Sequence, residues 1–276
     1  MQHKKAIGVF DSGYGGLTVL KEMVKLLPQY NFIYLGDNSR APYGNRSFDT
    51  VYRYTLQCAN WFFEQNCSLV ILACNTASAK ALRSIQQNDL PKIGGNKRIL
   101  GVIRPTTKLI GNYSTSKHLG ILATNGTVTS NSYPIEIEKF FPYVKVFQQS
   151  CPLWVPLVEN AEMNNTGSDF FIKKYIDQLL AQSSLIDVIL LACTHYPLLY
   201  DKIRKYTPEN IQIVSQGEII AKSLADYLQR HPEIENNCDK NGERLFFTTD
   251  SSADFDKHAQ LFYGEAVKSS SICLQS

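Results

Sequence analysis

The sequence contains an internal repeat that restricts it to a small set of folds. Val70–Thr76 (VILACNT) resembles Ile189–His195 (ILLACTH), since each is an apolar run that ends in Ala-Cys before small polar residues. A second pair, Ile7–Gly13 and Leu119–Asn125, precedes these segments in the same order. The cysteines at 74 and 193 are 119 residues apart, and the glycines at 8 and 120 are 112 apart. Two matches in one order at similar spacing predict two related lobes.

Short runs rich in Val, Ile and Leu alternate with segments of helical period. This alternation is typical of parallel strands that crossover helices bury on both faces. We therefore predict an α/β fold of two pseudo-symmetric lobes, with parallel-rich sheets flanked by helices and the active site in the cleft between the lobes. The predicted strands are residues 6–10, 32–35, 69–73, 99–103, 119–123, 144–148, 188–192 and 211–214, with an edge strand at 244–249. The predicted helices are 17–27, 48–65, 76–87, 168–182 and 217–230.

The chain length of 276 residues fits one large or two small domains. The polar tract Gln86–Arg98 contains Pro91, Gly94 and Gly95, which favour a domain boundary. The residues after the second copy of the repeat are expected to return to the first lobe. The predicted first lobe is thus residues 1–97 plus 210–276, and the predicted second lobe is residues 98–209.

Charge and composition argue against several classes of protein. The 28 basic and 25 acidic residues give a net charge of +3 without a block of basic residues, so no surface for nucleic acid or an anionic membrane is predicted. The first apolar run is too short for a signal sequence or a membrane span, and we expect a cytoplasmic protein. Seven cysteines without a CxxC pair suggest neither a disulfide framework nor a zinc ribbon.

Cys74 and Cys193 are the strongest candidates for chemistry. Each follows a predicted strand, where ligands bind in open α/β sheets. Each should also begin a helix, whose dipole and free N–H groups lower the pKa of a thiol. Two thiols on opposite sides of one ligand could remove a proton from one face of a carbon and return one to the other, which inverts a stereocentre. Taken singly, either cysteine is explained as the end of a core strand.

Polar neighbours of the two cysteines could assist them. Asp11 and His195 could exchange protons or accept hydrogen bonds beside Cys74 and Cys193. The alternative for Asp11 is a helix N-cap, and that for His195 is a polar residue in the first turn of a helix. Donors for a substrate carboxylate are available at Asn75, Thr76 and Thr194, which could equally be caps.

Two loops and one metal site complete the candidates. The glycine-rich loop at residues 11–18 could approach a ligand closely, although it matches neither phosphate-binding pattern. Residues 36–44 could form a lid or wall of the cleft, or an ordinary surface loop. Cys193 and His195 offer two metal ligands without a partner cluster, which makes a weak case for a metal.

Four motifs in register resemble a known family. They are GVFDSGYGGL at 8–17, GD through APYG at 36–44, ACNTAS at 73–78 and ACTHYPL at 192–198. Together they resemble the bacterial glutamate racemases of the aspartate/glutamate racemase superfamily. The likeness extends through Cys151, Pro152 and Glu159 to residues 247–250, thus over nearly the whole chain. Residues 214–217 (VSQG) depart from the pattern, because many relatives carry an acid there.

The resemblance implies a racemase that needs no cofactor, neither pyridoxal phosphate nor a metal. Such an enzyme interconverts L- and D-glutamate in the cytoplasm and feeds peptidoglycan synthesis. By analogy Cys74 deprotonates the D-substrate and Cys193 the L-substrate, Asp11 and His195 assist, and Glu159 matches an acidic position near the site. Substrate contacts carry over to Asp11, Ser12, Tyr43, Gly44, Asn75, Thr76, Thr194 and His195. The implied partner is glutamate, and a homodimer is compatible with the family.

Three alternatives stay open at this point. Aspartate racemases share the paired thiols, so the identity of the substrate depends on the flanking motifs. A cysteine hydrolase or amidotransferase would use Cys74 as nucleophile and His195 as base. A non-catalytic amino-acid-binding module would bind glutamate without proton exchange.

Overall fold

The computed structural model describes residues 5–274 and builds them around two sheets. The first sheet contains β1 (Ile7–Asp11), β2 (Phe32–Gly36), β3 (Leu69–Leu72), β4 (Arg98–Gly101), β9 (Arg244–Thr248) and β10 (Ser269–Ser271). The second sheet contains β5 (His118–Ala123), β6 (Lys145–Ser150), β7 (Val188–Ala192) and β8 (Gln212–Val214). Each strand pairs with its neighbours in parallel.

Helices connect the strands and cover the sheets. They are α1 (Leu17–Leu26), α2 (Phe48–Glu64), α3 (Asn75–Lys80), α4 (Leu82–Ser84), α5 (Leu90–Ile93), α6 (Ile103–Ile110), α7 (Asn125–Ser130), α8 (Ser132–Phe140), α9 (Trp154–Glu159), α10 (Thr166–Leu180), α11 (Tyr200–Tyr206), α12 (Gly217–Arg230), α13 (Pro232–Glu235) and α14 (Ser252–Tyr263). None of the helices in residues 5–274 combines the length and apolarity that a membrane span requires.

The internal repeat reappears as a repeated topology. The strand order is β10-β9-β2-β1-β3-β4 in the first sheet and β6-β5-β7-β8 in the second. In each, the first four strands along the chain therefore lie in the order 2-1-3-4, so β1 corresponds to β5 and β3 to β7. The predicted α/β fold, with two sheets of parallel strands flanked by helices, is confirmed.

Several helices, such as α6, α8 and α14, were not predicted, and three further details differ from the predicted elements. The strand predicted at 244–249 as an edge is β9, which pairs with β2 on one side and with β10 on the other. The sequence missed β10 because its three serines carry no apolar pattern. The helix predicted at 76–87 is interrupted at Ala81 and continues through α4 and a π-helical segment, Ile85–Asp89.

The sheets do not respect the predicted lobe boundaries. The strand β4 pairs with β3 of the first sheet although residue 98 was predicted to open the second lobe. Likewise β8 pairs with β7 of the second sheet although residue 210 was predicted to return the chain to the first. The polar tract misled the prediction because Pro91 lies in the first turn of α5, where its missing N–H is tolerated. We propose lobes that exchange near residues 102 and 215.

Glycines at equivalent positions let a helix pack closely on each sheet. A Cβ atom on Gly8 in β1 would lie 2.6 Å from the Phe62 ring of α2. A Cβ atom on Gly120 in β5 would lie 2.8 Å from the Leu179 side chain of α10. The repeat therefore conserves a contact that only a residue without a side chain permits.

Replacing Gly8 tests this contact. We expect Gly8→Ala to lower the free energy of unfolding by about 1–3 kcal/mol, since Phe62 is fully buried and has no space to retreat. Urea denaturation followed by circular dichroism measures the change. Gly167→Ala is the matched control, because a Cβ atom there meets only the exposed Asn165 side chain at 3.4 Å. Equal stability of the two variants would contradict the packing argument.

Candidate active site

A pocket opens where the carboxyl ends of the two sheets meet. Ser12 and Cys74 reach it from the ends of β1 and β3, and Thr124 and Cys193 reach it from the ends of β5 and β7. Its free volume is about 60 Å³. Both candidate cysteines thus line one cavity from corresponding strands of the two sheets.

The Cys74 thiol caps the helix that follows it. Its Sγ accepts a hydrogen bond from the Ala77 N–H at 3.5 Å and lies 3.4 Å from the Ser12 hydroxyl. Burial raises the pKa of Cys74 to about 12, and the nearby Asp11 carboxyl adds to the increase. The expected lowering by the helix terminus is wrong here, because the hydrogen bonds with Ser12 and Ala77 do not replace the water lost by a side chain that is 5% exposed.

Cys193 has a different environment. The Cys193 Sγ lies 3.9 Å from His195 Nδ1, while His195 Nε2 lies 2.9 Å from Glu159 Oε1. Burial alone would lower the pKa of His195, but the hydrogen bonds to Cys193 and Glu159 raise it to about 10. His195 therefore carries a positive charge at neutral pH, next to the sulfur.

Cys193 does not begin an α-helix, contrary to the prediction. The chain passes through a short 3₁₀ turn at Tyr196–Leu199, and α11 begins only at Tyr200. Pro197 lies in the first part of this turn. The positive charge near Cys193 thus comes from an imidazolium rather than from a helix terminus.

Asp11 lies behind the pocket rather than in its wall. The side chain is 1% exposed and accepts hydrogen bonds from the Gly13 N–H at 3.0 Å and from the Thr194 hydroxyl at 3.5 Å. Burial raises the pKa of Asp11, and the charge on His195 opposes the increase. Asp11 therefore links the first strand of one sheet to the cysteine segment of the other.

The predicted wall segment carries Tyr43 and Gly44 into the pocket. The Tyr43 hydroxyl donates to the buried Asp37 carboxylate, which also binds Arg40 at 2.7 Å. The Gly44 carbonyl accepts from the Gly126 N–H of α7 at 2.8 Å. The segment is thus fixed to both sheets, and the Tyr43 hydroxyl already donates its proton within the protein.

The remaining predicted residues also border the cavity. The pocket is lined by Asn75, Thr76, Glu159, Thr194 and His195 besides the two cysteines, Ser12, Tyr43 and Gly44. The Thr76 hydroxyl lies 2.9 Å from that of Thr124, which joins the two lobes across the cavity floor. Only Asp11 among the predicted site residues is absent from the lining.

Comparison with known proteins identifies the family. The Asp/Glu/Hydantoin racemase model matches residues 7–224. A glutamate racemase of Persephonella marina is 38% identical, covering 97% of this chain and 99% of the relative. One from Geobacter metallireducens is also 38% identical, covering 94% and 93%.

The chain belongs to the Asp/Glu/Hydantoin racemase family. The predicted resemblance to glutamate racemases is confirmed, as is the prediction of an isomerase. Among solved structures, the glutamate racemase of Bacillus anthracis superimposes with a TM-score of 0.88 at 32% identity, covering 99% of each chain. That of Francisella tularensis, solved with D-glutamate, gives 0.87 at 29% identity and covers 98% of each.

Some residues of this racemase pocket were missed from the sequence. They are Asn45, Thr124, Asn125, Cys151, Pro152, Val155 and Pro156. The repeat offered a signal for one of them, because an offset of 112 residues carries Ser12 onto Thr124. Cys151 and Pro152 belonged to the family resemblance but were assigned no role, and apolar wall residues such as Val155 have no chemical signature.

The metal and hydrolase interpretations gain no support from the geometry. Within residues 5–274, no three His, Cys, Asp or Glu side chains are grouped to hold a metal ion. The hydrolase alternative needs His195 next to Cys74, whereas the imidazole contacts Cys193. Independence from a metal or pyridoxal phosphate stays a prediction.

Removing the carboxylate beside His195 should change its titration. We expect Glu159→Gln to lower the pKa of His195 from about 10 by roughly 1 to 3 pH units, because an ionic partner is lost. Titration of labelled histidine by NMR measures this. Since the folded-state pKa exceeds the ordinary 6.5, the associated stability is complete below pH 6.5 and is lost as the pH rises through 10. An unchanged titration would contradict the pairing, with exposed Glu209→Gln as the control.

Proposed function

We propose that this racemase interconverts L- and D-glutamate by a two-base mechanism in which Cys74 and Cys193 exchange protons with the α-carbon. The observation that carries the proposal is that both thiols line one pocket from the ends of corresponding strands, β3 and β7. Glutamate as the substrate is supported by the similarity to the glutamate racemases of Persephonella marina and Geobacter metallireducens and by the D-glutamate complex of the Francisella protein.

The two cysteines differ in the charged groups beside them. Cys74 is a neutral thiol at physiological pH, because its pKa is raised to about 12. The His195 imidazolium lies 3.9 Å from the Cys193 sulfur, a distance at which a positive charge attracts a thiolate. Cys193 is thus suited to act first as base, and Cys74 as acid.

In the L-to-D direction, one proton leaves the α-carbon and another replaces it. The Cys193 thiolate takes the α-proton of L-glutamate, so that a Cα–H bond breaks and an S–H bond forms. The Cys74 thiol gives its proton to the opposite face of the carbanion, which yields D-glutamate and leaves a thiolate at Cys74. The reverse reaction begins from that state, in line with the roles that the family resemblance assigned.

Substrate binding in this proposal uses the polar rim of the pocket. Asn75 is a 3% exposed side-chain donor for a carboxylate oxygen. The hydroxyl protons of Thr76 and Thr194 are engaged by Thr124 and Asp11, so these two residues offer their backbone N–H groups. Ser12 lies beside Cys74, while Tyr43 and Gly44 can contribute only backbone groups, since the Tyr43 hydroxyl is bound to Asp37. Asp11, His195 and Glu159 hold the charges around the thiols.

The proposal includes the biological role that the family implies. In this proposal the two thiols carry out both proton transfers, and neither pyridoxal phosphate nor a metal takes part. The D-glutamate produced would supply peptidoglycan synthesis in the cytoplasm. A homodimer is part of the proposal only as an arrangement that the family permits.

Racemisation in deuterated water tests the mechanism. We expect L-glutamate to give D-glutamate labelled at the α-carbon without added cofactor, because the new proton comes from Cys74 after exchange with solvent. The L-glutamate recovered early should stay unlabelled. Polarimetry and mass spectrometry measure both signals. Unlabelled D-product would show that one base carries the same proton across, and would contradict two bases.

Single substitutions test each thiol. Cys74→Ser and Cys193→Ser should each reduce kcat by roughly 10²–10⁴-fold, because a hydroxyl is a far weaker acid and base at neutral pH. Cys273→Ser, at an exposed position away from the pocket, is the matched control and should keep full activity. Full activity in either pocket variant would contradict the proposal.

A further inference from the structure

Four buried polar side chains form a closed network behind the pocket. Asn75 is in α3, Thr106 in α6 and Tyr133 in α8, and Gln216 precedes α12. Their exposed fractions are 3%, 0%, 0% and 4%. Asn75 alone of the four lines the pocket. The network therefore connects a pocket residue of the first sheet to helices that cover the second.

Short hydrogen bonds connect each residue of this network to at least one other. The Tyr133 hydroxyl donates to Asn75 Oδ1 at 2.6 Å, and Asn75 Nδ2 donates to Gln216 Oε1 at 2.8 Å. Gln216 Nε2 donates to the Tyr133 oxygen at 2.7 Å and to the Thr106 oxygen at 2.8 Å. Buried amides and hydroxyls so connected hold one another in a single orientation.

Thr106 determines the direction of every bond in the network. Its hydroxyl donates its only proton to the Val102 carbonyl at 2.9 Å, so its oxygen can only accept. The group of Gln216 that faces Thr106 must then be the NH₂ group. Since the same NH₂ group donates to the Tyr133 oxygen, the Tyr133 proton points to Asn75. Asn75 consequently turns its carbonyl towards Tyr133 and its NH₂ group towards Gln216.

One proton of the network is left over for a ligand. Asn75 Nδ2 carries two protons and donates one of them to Gln216 Oε1. We propose that Gln216 and Tyr133 are positioning residues that hold the second Nδ2 proton of Asn75 ready for a carboxylate oxygen of glutamate. The inference rests on the proposed function, because it requires glutamate in this pocket.

The side chain at 216 must be an amide for this role. A glutamate there would present oxygens to Thr106 and Tyr133, and the two donor protons of Gln216 would be missing. Tyr133 would then donate to the new oxygen instead of to Asn75, and the Asn75 amide, left with a single bond, would lose its fixed orientation. Tyr133→Phe would remove its bonds to the Asn75 carbonyl and from the Gln216 NH₂ group, but it would keep the bond between Asn75 and Gln216 and should have a smaller effect.

Binding is best measured without turnover. The double variant Cys74→Ser/Cys193→Ser serves as the parent, and calorimetry gives its Kd for D-glutamate. In this background we expect Gln216→Glu to raise the Kd about ten-fold or more, and Tyr133→Phe roughly five-fold. Gln229→Glu makes the same change on an exposed position of α12 and should leave the Kd unchanged. Thermal unfolding confirms that each variant is folded.

A double-mutant cycle separates positioning from general damage. In an Asn75→Ala background, Gln216→Glu should have no further effect on Kd, because the group that it orients is gone. With both cysteines present, KM should rise in parallel while kcat falls less, since Asn75 transfers no proton. The same loss in both backgrounds, or no loss from Gln216→Glu, would overturn the inference. A parent that binds glutamate although the wild type does not racemise it would refute only the proposed function.

Discussion

The contact between the glycine-rich loop and the Cys193 segment brings the two sheets into one site. A Cβ atom on Gly15 would lie 2.2 Å from the Thr194 hydroxyl and 2.4 Å from His195 Nδ1. Any side chain at this position would separate the segments that carry the two thiols. Thr18 strengthens the contact, since its hydroxyl donates to the Thr194 carbonyl at 2.9 Å. The glycine serves the approach of two lobes rather than a phosphate ligand, which explains why the loop lacks a phosphate-binding pattern.

The sequence predicted most of the fold and the pocket because both depend on local patterns. Buried parallel strands are continuous apolar runs, and residues that follow them, such as Cys74 and Cys193, are brought together by topology alone. The repeat supplied the second sheet. Lobe boundaries were missed, because the pairing of β4 or β8 is decided by distant strands and not by the polar tract at residues 86–98.

The pKa values of the site and its long-range hydrogen bonds could not be predicted from the sequence, for a physical reason. The helix terminus at Cys74 is visible in the pattern, whereas the desolvation that outweighs it depends on how completely both lobes enclose the thiol. Gln216 contacts Asn75 across 141 residues of chain. The VSQG segment at 214–217 drew attention to Gln216 in the sequence, but it did not indicate which residues Gln216 contacts. Glu159 was found only by resemblance, and its pairing with His195 required coordinates.

The two cysteines are equivalent in topology but differ in the charge beside them. Cys74 adjoins the Asp11 carboxyl, and Cys193 adjoins the His195 imidazolium. The two enantiomers of an amino acid have equal free energies, so this asymmetry cannot bias the equilibrium between them. It can only determine which protonation state of the free enzyme predominates. In the proposed mechanism the enzyme leaves each L-to-D turnover with the thiolate at Cys74, whose pKa is raised by burial and by the Asp11 carboxyl. Restoring the resting state requires Cys193 to lose its proton and Cys74 to gain one, a change that the Asp11 carboxyl favours because it helps to raise the pKa of Cys74.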